Sequence, residues 1–383
     1  MLELALHDRG RITPADDSTT DVLRRGFYGR RSGKSLELSV EEALYLLDMR
    51  NAACERDGKP VGFNELASEF ADAPKFMARY FTYKDWRDRG LVAIAATAHA
   101  RARLAQPKAY PASSFRLPKT KLHGVLFSND LVSVIEEPEA GRQLYEKFWI
   151  GQYGSYKASD RGSLSKLDAF ESMLLMDNGV LTLDNSTRGA LMAQATEMRD
   201  DFPSLYEVYK DWREKGYVVK TGFKFGTHFR VYFPGAKPME AGGDQTHSKH
   251  VIQVFPKSSK MLISEWARAI RVAHSVRKTL ILAVPGKTSA VREGVDFVLY
   301  HRHGGEADAP GRNPPRFAML SLSEEEYIGG QEFAKAINEA KRLGLDLLLA
   351  IADRETAVTY YRVRQIKLSG SANDYFEIDW MQP

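Results

Sequence analysis

Residues 82–90 (TYKDWRDRG) and 208–216 (VYKDWREKG) are two copies of one segment within a chain of 383 residues. Each copy is typical of the end of a helix, because basic residues in the last turn are followed by a glycine, the usual helix stop. Similar helix patterns lie upstream of both copies. Residues 20–90 and 120–216 are therefore predicted to be two copies of one module, each of mixed α/β structure.

The upstream helices of the two modules begin with the same signal. In the first module Ser39 is followed three residues later by Glu42, and in the second Asp168 is followed by Glu171. A short polar residue with a glutamate at this spacing predicts a capping box, in which each side chain binds the other residue's backbone N–H.

A second repeat occurs later in the chain. Residues 266–284 (WARAIRVAHSVRKTLILAV) align without a gap to residues 333–351 (FAKAINEAKRLGLDLLLAI). Each predicts an amphipathic helix that runs into a buried strand, at 280–284 and 347–351. The predicted fold class is thus α/β, or mixed α+β, with repeated units that each combine an N-terminal module and a C-terminal mixed sheet flanked by helices.

The repeats divide the chain into one complete unit flanked by two halves. The Gly/Pro-rich stretch GGEADAPGRNPP is the clearest linker. The predicted segments are an N-terminal half unit without a catalytic half (1–106), a complete unit (119–303, with modules 119–205 and 206–303), the linker (304–315) and a C-terminal inactive half unit (316–383).

Size and composition limit the function classes. The chain is long enough for two or three domains, and its net charge of +4 is compatible with a nucleic-acid partner. The single cysteine, Cys54, excludes disulfide frameworks and fits a reducing compartment. No apolar run approaches the length of a signal peptide or a membrane span. A cytoplasmic protein without a membrane anchor is expected.

Three residues in the middle of the chain suggest a chemistry. Tyr232 ends the segment GFKFGTHFRVY, His247 follows, and Lys278 ends AHSVRK. Tyrosine, histidine and lysine can cleave a phosphodiester without a metal: histidine exchanges protons near neutral pH, lysine is a fixed cation, and tyrosine is a rigidly held hydroxyl. The later repeat has Lys341 and Leu345 at the positions of His274 and Lys278, so it predicts a copy that kept its fold and lost this chemistry.

These segments resemble the archaeal tRNA-splicing endonucleases. The resemblance is carried by residues 209–232, 247–256 and 264–284, and by residues 122–149 of the preceding module. It is strong over about 120–300 and weaker in the flanking halves. The three-unit layout is similar to a single-chain form of this family in which two copies assemble, which implies a homodimer acting on precursor tRNA.

The resemblance implies a role for each residue of the triad. Tyr232 matches the family's catalytic tyrosine, the base on the ribose 2′-hydroxyl, although a phenol pKa near 10 also leaves open that it only orients this hydroxyl. His247 matches the acid for the 5′-oxygen, and Lys278 matches the lysine that stabilises the pentacoordinate transition state. The implied products carry a 2′,3′-cyclic phosphate and a 5′-hydroxyl, and no metal or other cofactor is expected.

Further RNA contacts are implied at four positions. Arg271 matches a family arginine that sandwiches a bulged base, and Arg292 and Arg302 are candidates for the second arginine of that sandwich. The second module also carries about seven extra residues within 151–162 (GQYGSYKASDRG). Lys157 in this insert is either an arm that reaches the RNA or part of a plain surface loop.

Assembly in the family uses an acidic loop that inserts into a basic pocket of a neighbouring unit. The loop after residues 347–351 contains Asp353 and Glu355, whereas the equivalent loop of the complete unit (PGKTSA) has no carboxylate. The C-terminal half is therefore expected to supply the loop and the complete unit to receive it. The last two strands, within 360–368 and 375–380, are expected to pair across the dimer face.

Alternative functions remain open from the residues. A zinc site formed by His247, His250, His301 and His303 matches no known spacing. A metal-dependent DNA nuclease of restriction-like fold would need two or more carboxylates on one sheet edge. A non-catalytic RNA-binding subunit is the third possibility, against which the intact triad argues.

Overall fold

The structure is a computed structural model that describes residues 1–33, 35–96, 107–156, 158–239, 246–286 and 294–383. Helices and mixed sheets alternate throughout these ranges, which confirms the predicted mixed α/β class. No helix in the described part of the chain is long and apolar enough to cross a membrane.

The first module is a small sheet covered by helices. The elements up to residue 110 are β1 (Glu3–Leu6), β2 (Ile12–Pro14), α1 (Asp17–Arg25), β3 (Arg30–Ser32), β4 (Ser35–Glu37), α2 (Val40–Met49), β5 (Ala53–Arg56), β6 (Lys59–Pro60), α3 (Phe63–Ser68), α4 (Phe76–Asp88), β7 (Ala93–Ala95) and β8 (Lys108–Tyr110). The sheet has the order β2-β1-β5-β6. The predicted capping box of Ser39 and Glu42 at the start of α2 is confirmed.

The second module is a five-stranded sheet with the order β11-β12-β10-β9-β13. Its elements are β9 (Leu122–Phe127), β10 (Val132–Ile135), α5 (Pro138–Phe148), β11 (Gln152–Tyr153), β12 (Ser165–Asp168), α6 (Ala169–Asp177), β13 (Leu181–Leu183) and α7 (Arg188–Met198). Asp168 and Glu171 form the predicted capping box at the start of α6. The two modules therefore start their central helices in the same way.

The rest of the chain builds one large mixed sheet. Its elements are α8 (Phe202–Glu214), β14 (Val218–Thr221), β15 (Phe229–Tyr232), β16 (His250–Val254), β17 (Lys260–Leu262), α9 (Ile263–Ser275), β18 (Thr279–Val284), β19 (Phe297–Leu299), β20 (Arg302–His303), β21 (Glu306–Ala307), β22 (Phe317–Ser323), β23 (Tyr327–Gly329), α10 (Gly330–Leu343), β24 (Asp346–Ala352), β25 (Val358–Leu368) and β26 (Asp374–Met381). The strand order is β14-β15-β16-β18-β26-β25-β24-β22-β19-β7, and β8 pairs with the end of β25.

The two flanking halves join in this sheet to form a second unit. Strand β7 of the first module pairs with β19, which pairs with β22 of the C-terminal half. The order β7-β19-β22-β24 thus repeats the order β14-β15-β16-β18 of the middle unit. Helices α9 and α10 lie side by side on one face, where the matching residues Trp266 and Phe333 are 5.9 Å apart between ring centroids. The middle unit is therefore inserted between the two parts of the other.

Strand β19 differs from its predicted assignment. The repeats predict that it belongs to the complete unit (119–303), whereas its partners are β7 and β22 of the flanking segments. The physical reason is that the free edge of β18 is occupied by β26, with Ile281 opposite Glu377. The last strands were also expected to pair across a dimer face, and this is wrong: β25 and β26 pair with each other and join both units within one chain.

A buried carboxylate lies at this junction between the units. Glu377 is 1% exposed, and its Oε1 accepts hydrogen bonds of 2.6 Å from Lys108 Nζ and from the Tyr110 hydroxyl. Burial alone would raise its pKa, but these two donors hold the pKa of Glu377 below its ordinary value. Strand β8, which precedes the second module in the chain, is thereby fixed to the centre of the sheet.

Candidate active site

Tyr232 lies at the end of β15 on the face that α9 covers. Phe229 and Val231 point to the opposite face, into the core beneath α8, because side chains alternate along a strand. Arg230 shares the face of Tyr232, and its guanidinium is 5.8 Å from the tyrosine ring centroid. Tyr232 is 4% exposed and its ring lies 4.5 Å from that of Trp149, measured between centroids.

Lys278 follows the end of α9 and lies on the same face of the sheet as Tyr232. Arg277 adopts a left-handed conformation (φ +55°), and the backbone N–H of Lys278 donates to the oxygen of Ala273 at 2.9 Å. The chain then enters β18. The Lys278 ammonium donates a hydrogen bond to the main-chain oxygen of Ser248 and lies 4.8 Å from the centroid of the Phe225 ring.

His247 is adjacent to this contact. Strands β16 and β18 are parallel neighbours, with His250 opposite Thr279, so the segments that enter them meet at one edge of the sheet. His247 is exposed, whereas Ser248 beside it is buried. The structure therefore brings the segment that carries His247 and the side chain of Lys278 to the same edge of the sheet.

The surroundings shift the pKa values of two of these groups. Burial raises the pKa of Tyr232, while Arg230 and the Ser248 hydroxyl act in the opposite direction. Burial, followed by repulsion from Arg230, lowers the pKa of Lys278. A nearby histidine, His250, is buried, and this burial lowers its pKa to about 4, so that it is uncharged at neutral pH.

A cavity of about 460 Å³ opens beside Tyr232, between the second module and the sheet. Lys166, Lys220 and Arg230 are its cationic lining residues, and Asp168 and Glu171 line it as well. Arg230 Nε is buried without a hydrogen-bond acceptor among the described residues. An anionic group that enters this cavity would find a donor there.

The other unit has a smaller counterpart of this cavity, about 240 Å³, lined by Ser39, Glu42 and Ile94. Ile94 occupies the position of Lys220 when residues 82–90 and 208–216 are aligned. In both units the buried glutamate accepts a 2.9 Å hydrogen bond from a glycine N–H, from Gly29 to Glu42 and from Gly151 to Glu171. In the middle unit a lysine also binds this glutamate: Lys220 Nζ donates a 2.6 Å hydrogen bond to Glu171 Oε1.

The remaining predicted RNA contacts are placed differently. Arg271 is exposed on α9, close enough to Tyr361 to oppose the rise that burial causes in the pKa of that tyrosine. Arg302 follows β19, near the edge of the sheet opposite to β15, and donates at 2.8 Å to the main-chain oxygen of Arg89. The structure thus does not bring Arg302 to the triad. Lys157 and Arg292 lie outside the described residues.

The predicted assembly loop is a tight turn between β24 and β25. Asp353 uses its carboxylate within the turn, where Oδ1 accepts the N–H groups of Glu355 and Ala357 at 2.9 Å each. The side chain of Glu355 is exposed. Glu355 is therefore the carboxylate that this turn presents to solvent.

The imagined zinc site is not assembled. His301 follows β19 and packs its ring against Trp86 and Phe317 of the flanking unit, whereas His247 and His250 belong to the middle unit. Within the ranges that the structure describes, no group of three or more His, Cys, Asp or Glu residues could hold a metal ion.

Three residues of the site were missed from the sequence. Arg230 had a signal, since a residue two positions before Tyr232 on a strand must share its face. Ser248 contributes its main-chain oxygen, which no side-chain pattern reveals. Trp149 ends α5 in a left-handed conformation (φ +48°), and its contact with Tyr232 depends on how the second module docks on the sheet.

Comparisons with known proteins identify both parts of this architecture. Residues 202–293 match the family model for the tRNA intron endonuclease catalytic C-terminal domain, and residues 4–67 match that for its N-terminal domain. The chain is similar to proteins named tRNA-splicing endonuclease, with 28% identity to that of Methanococcoides burtonii over 76% of this chain and 96% of the relative. That of Methanopyrus kandleri is 36% identical over 42% of this chain and 87% of the relative. That of Pyrobaculum arsenaticum is 31% identical over 42% of this chain and 90% of the relative.

The fold and the matched catalytic domain together define an RNA-cleaving enzyme of the intron endonuclease class. The chain belongs to the tRNA-splicing endonuclease family. The two shorter relatives match less than half of this chain and nearly all of their own length, as expected for a chain built from repeated units.

Proposed function

We propose that this chain excises introns from precursor tRNA at bulge–helix–bulge junctions by metal-independent cleavage, leaving 2′,3′-cyclic phosphate and 5′-hydroxyl ends. The observation that carries the proposal is the contact of the Lys278 ammonium with the main chain of Ser248, next to His247 and on the face that holds Tyr232. All three residues lie within the matched catalytic domain. A precursor tRNA substrate also fits a cytoplasmic location.

Each residue has a role that its environment supports. The ribose 2′-oxygen attacks phosphorus, and the bond from phosphorus to the 5′-oxygen breaks. His247 is exposed and can reach the RNA, so it donates a proton to the departing 5′-oxygen. The Lys278 ammonium lies near the site of the pentacoordinate phosphorus and stabilises the negative charge that develops there.

Tyr232 acts in this proposal as a neutral phenol. Burial raises its pKa above its ordinary value of about 10, so little phenolate forms at neutral pH. The phenol then orients the 2′-hydroxyl, and the proton of that hydroxyl passes to water. Arg271 is proposed to stack on a bulged base, since its side chain is exposed on α9.

The test is cleavage of a synthetic RNA with a bulge–helix–bulge junction in excess EDTA. We expect cuts in both bulges with cyclic phosphate ends, and a loss of rate of about 10²–10⁴ in His247→Ala. His274→Ala is the matched control, because His274 is also an exposed histidine of the same unit and should keep its rate. Cleavage that appears only when Mg²⁺ is restored would overturn the mechanism and favour the metal-dependent alternative.

We also propose that two copies of the chain assemble. One chain supplies a unit with the triad and a second unit whose matching position is Leu345. The exposed Glu355 of one copy is proposed to enter the 460 Å³ cavity of the other, where Arg230 Nε is the donor left without an acceptor in the described structure. The smaller cavity of the flanking unit has Ile94 where this one has Lys220, so it is the poorer receptor.

A further inference from the structure

The hairpin loop between β14 and β15 displays an aromatic ring to solvent. Phe223 is 86% exposed, more than any other aromatic side chain in the described part of the chain. Exposing a phenylalanine this fully forgoes the stabilisation that its burial would give. The ring lies on a loop of the catalytic domain and is open to a ligand that would cover it.

The loop that carries Phe223 is a hydrogen-bonded turn with closely packed ends. Phe223–Phe225 form a single 3-10 turn, and the N–H of Phe225 donates to the Gly222 oxygen at 2.8 Å. A side chain at Gly222 would meet Thr227 and Phe229 atoms at less than 3.0 Å, so the loop ends are closely packed. Phe223 is thus held out on a fixed backbone, and little order would be lost when a flat ligand stacks on it.

The turn that carries Phe223 contacts the triad through Phe225. Phe225 is two residues further on and so projects from a different side of the turn, where it packs against the core beneath α9. The centroid of the Phe225 ring lies 4.8 Å from Lys278 Nζ. The turn also packs against α9, the helix of Arg271. Phe223 is therefore carried by the turn whose Phe225 contacts Lys278 and which packs against the helix of Arg271.

The residue between the two phenylalanines adds a positive charge. Lys224 Nζ lies 3.2 Å from the hydroxyl of Tyr156 and 5.0 Å from the centroid of its ring. Tyr156 belongs to the insert of the second module and is 56% exposed. Aromatic rings beside a cation are the combination that proteins use to hold unpaired nucleotides, with the base on the ring and the phosphate near the cation.

The unit formed by the two flanking halves lacks the loop that carries Phe223. Its strands β7 and β19 occupy the places of β14 and β15, but the inserted middle unit separates them in sequence. The exposed ring thus accompanies only the unit that holds the triad.

We propose that Phe223 is the stacking platform for an unpaired base of the RNA bulge that is cleaved, with Lys224 beside it for the adjoining phosphate. This inference rests on the proposed function and adds a base-binding site to it. Stacking is tolerant of base identity, because every base offers a flat face. Phe223 is accordingly a positioning residue that contacts substrate and takes no part in proton transfer.

The test measures binding in a His247→Ala background, so that cleavage does not interfere. The probe is the bulge–helix–bulge RNA with 2-aminopurine at each unpaired position in turn. We expect quenching of its fluorescence at one bulge position, and a Phe223→Ala exchange should remove this quenching and weaken binding about 5- to 150-fold. Phe223→Trp should retain both, and Tyr327→Ala, which removes a ring 62% exposed on β23, should match the parent.

Two other outcomes contradict the inference in different ways. Unchanged affinity and quenching in Phe223→Ala would overturn the stacking site while the proposed function stands. An RNA that neither binds to the His247→Ala protein nor is cleaved by the unmodified protein would overturn the proposed function, and the stacking site with it.

Discussion

Lys278 donates a hydrogen bond from its ammonium to the main-chain oxygen of Ser248, the residue after His247. The contact exists because β16 and β18 are adjacent parallel strands whose incoming segments meet at one sheet edge. It fixes the direction of a long, flexible side chain and leaves its other two N–H groups for a phosphate. The proposed catalytic cation is thereby positioned by the backbone that carries the proposed catalytic acid.

Lys278→Leu should abolish cleavage with a limited loss of stability. The matching residue in the unit formed by the two flanking halves is Leu345, so a leucine is compatible with this fold. The rate should fall by at least 10²–10³, the usual effect of removing one donor that stabilises a transition state. The Ser248 oxygen loses its partner, at a cost of about 1–3 kcal/mol. Single-turnover cleavage and thermal unfolding test this, and a severely unfolded variant would contradict it. Lys278→Arg keeps the charge and should retain part of the rate.

Arg230→Gln should change the pH dependence of cleavage. Arg230 contributes to the lowered pKa of Lys278, so its removal raises that pKa and keeps the ammonium charged to higher pH. The basic limb of the pH–rate profile should move upward. The pKa of Tyr232 rises as well.

The rates below this limb distinguish the two roles of Tyr232. A phenol that only orients the 2′-hydroxyl stays protonated, so the rates near pH 6 should not fall through its titration when Arg230 is removed. A tyrosine that acts as the base must lose its proton first, so its raised pKa would lower the rate at every pH below that pKa, against our proposal. Single-turnover rates from pH 5 to pH 10 cover both ranges.

Lys220→Ile should make stability depend more strongly on pH. The unit formed by the two flanking halves has Ile94 at this position. In that unit, burial raises the pKa of Glu42 to about 7. Burial and the neighbouring Glu171 likewise raise the pKa of Asp168 to about 7, while Lys220 opposes this. Carboxyl groups with raised folded pKa values destabilise the protein as the pH rises from their unfolded values to about 7.

The variant should therefore match the parent most closely near pH 5 and unfold at lower temperature by pH 8. The loss at pH 8 should approach the 3–5 kcal/mol typical of a broken buried ion pair. Thermal unfolding from pH 5 to pH 8 tests this. Lys166→Ile is the control, because Lys166 lines the same cavity but is exposed. Parallel curves for the parent and Lys220→Ile would contradict the prediction.

Glu355→Lys should convert the proposed dimer to a monomer of 43.1 kDa without disturbing the turn between β24 and β25. The turn is held by the carboxylate of Asp353 and does not use the side chain of Glu355. A positive charge would be repelled by the cavity that contains Arg230 and Lys166. Light scattering after size exclusion measures the mass, and Glu306→Lys on β21 is an exposed charge-reversal control. A monomeric parent protein would exclude the proposed assembly.

The sequence by itself determined the local structure and the residues proposed for the chemistry. The capping boxes at Ser39 and Asp168, the matching helices α9 and α10, and the positions of Tyr232, His247 and Lys278 all follow from short-range patterns. Such patterns depend on hydrogen bonds and periodicities within a few residues, and repetition of the same pattern makes them easier to detect.

Only the tertiary structure decided how the pieces combine. Strand β19 could follow the middle unit in sequence, yet it pairs with β7 because β26 already fills the edge of β18. The ring of Trp149 on Tyr232 and the 86% exposure of Phe223 likewise depend on which surfaces meet. Pairing between distant strands is set by competition for edges and by shared burial. The residues of one strand do not encode which distant strand will occupy its edge.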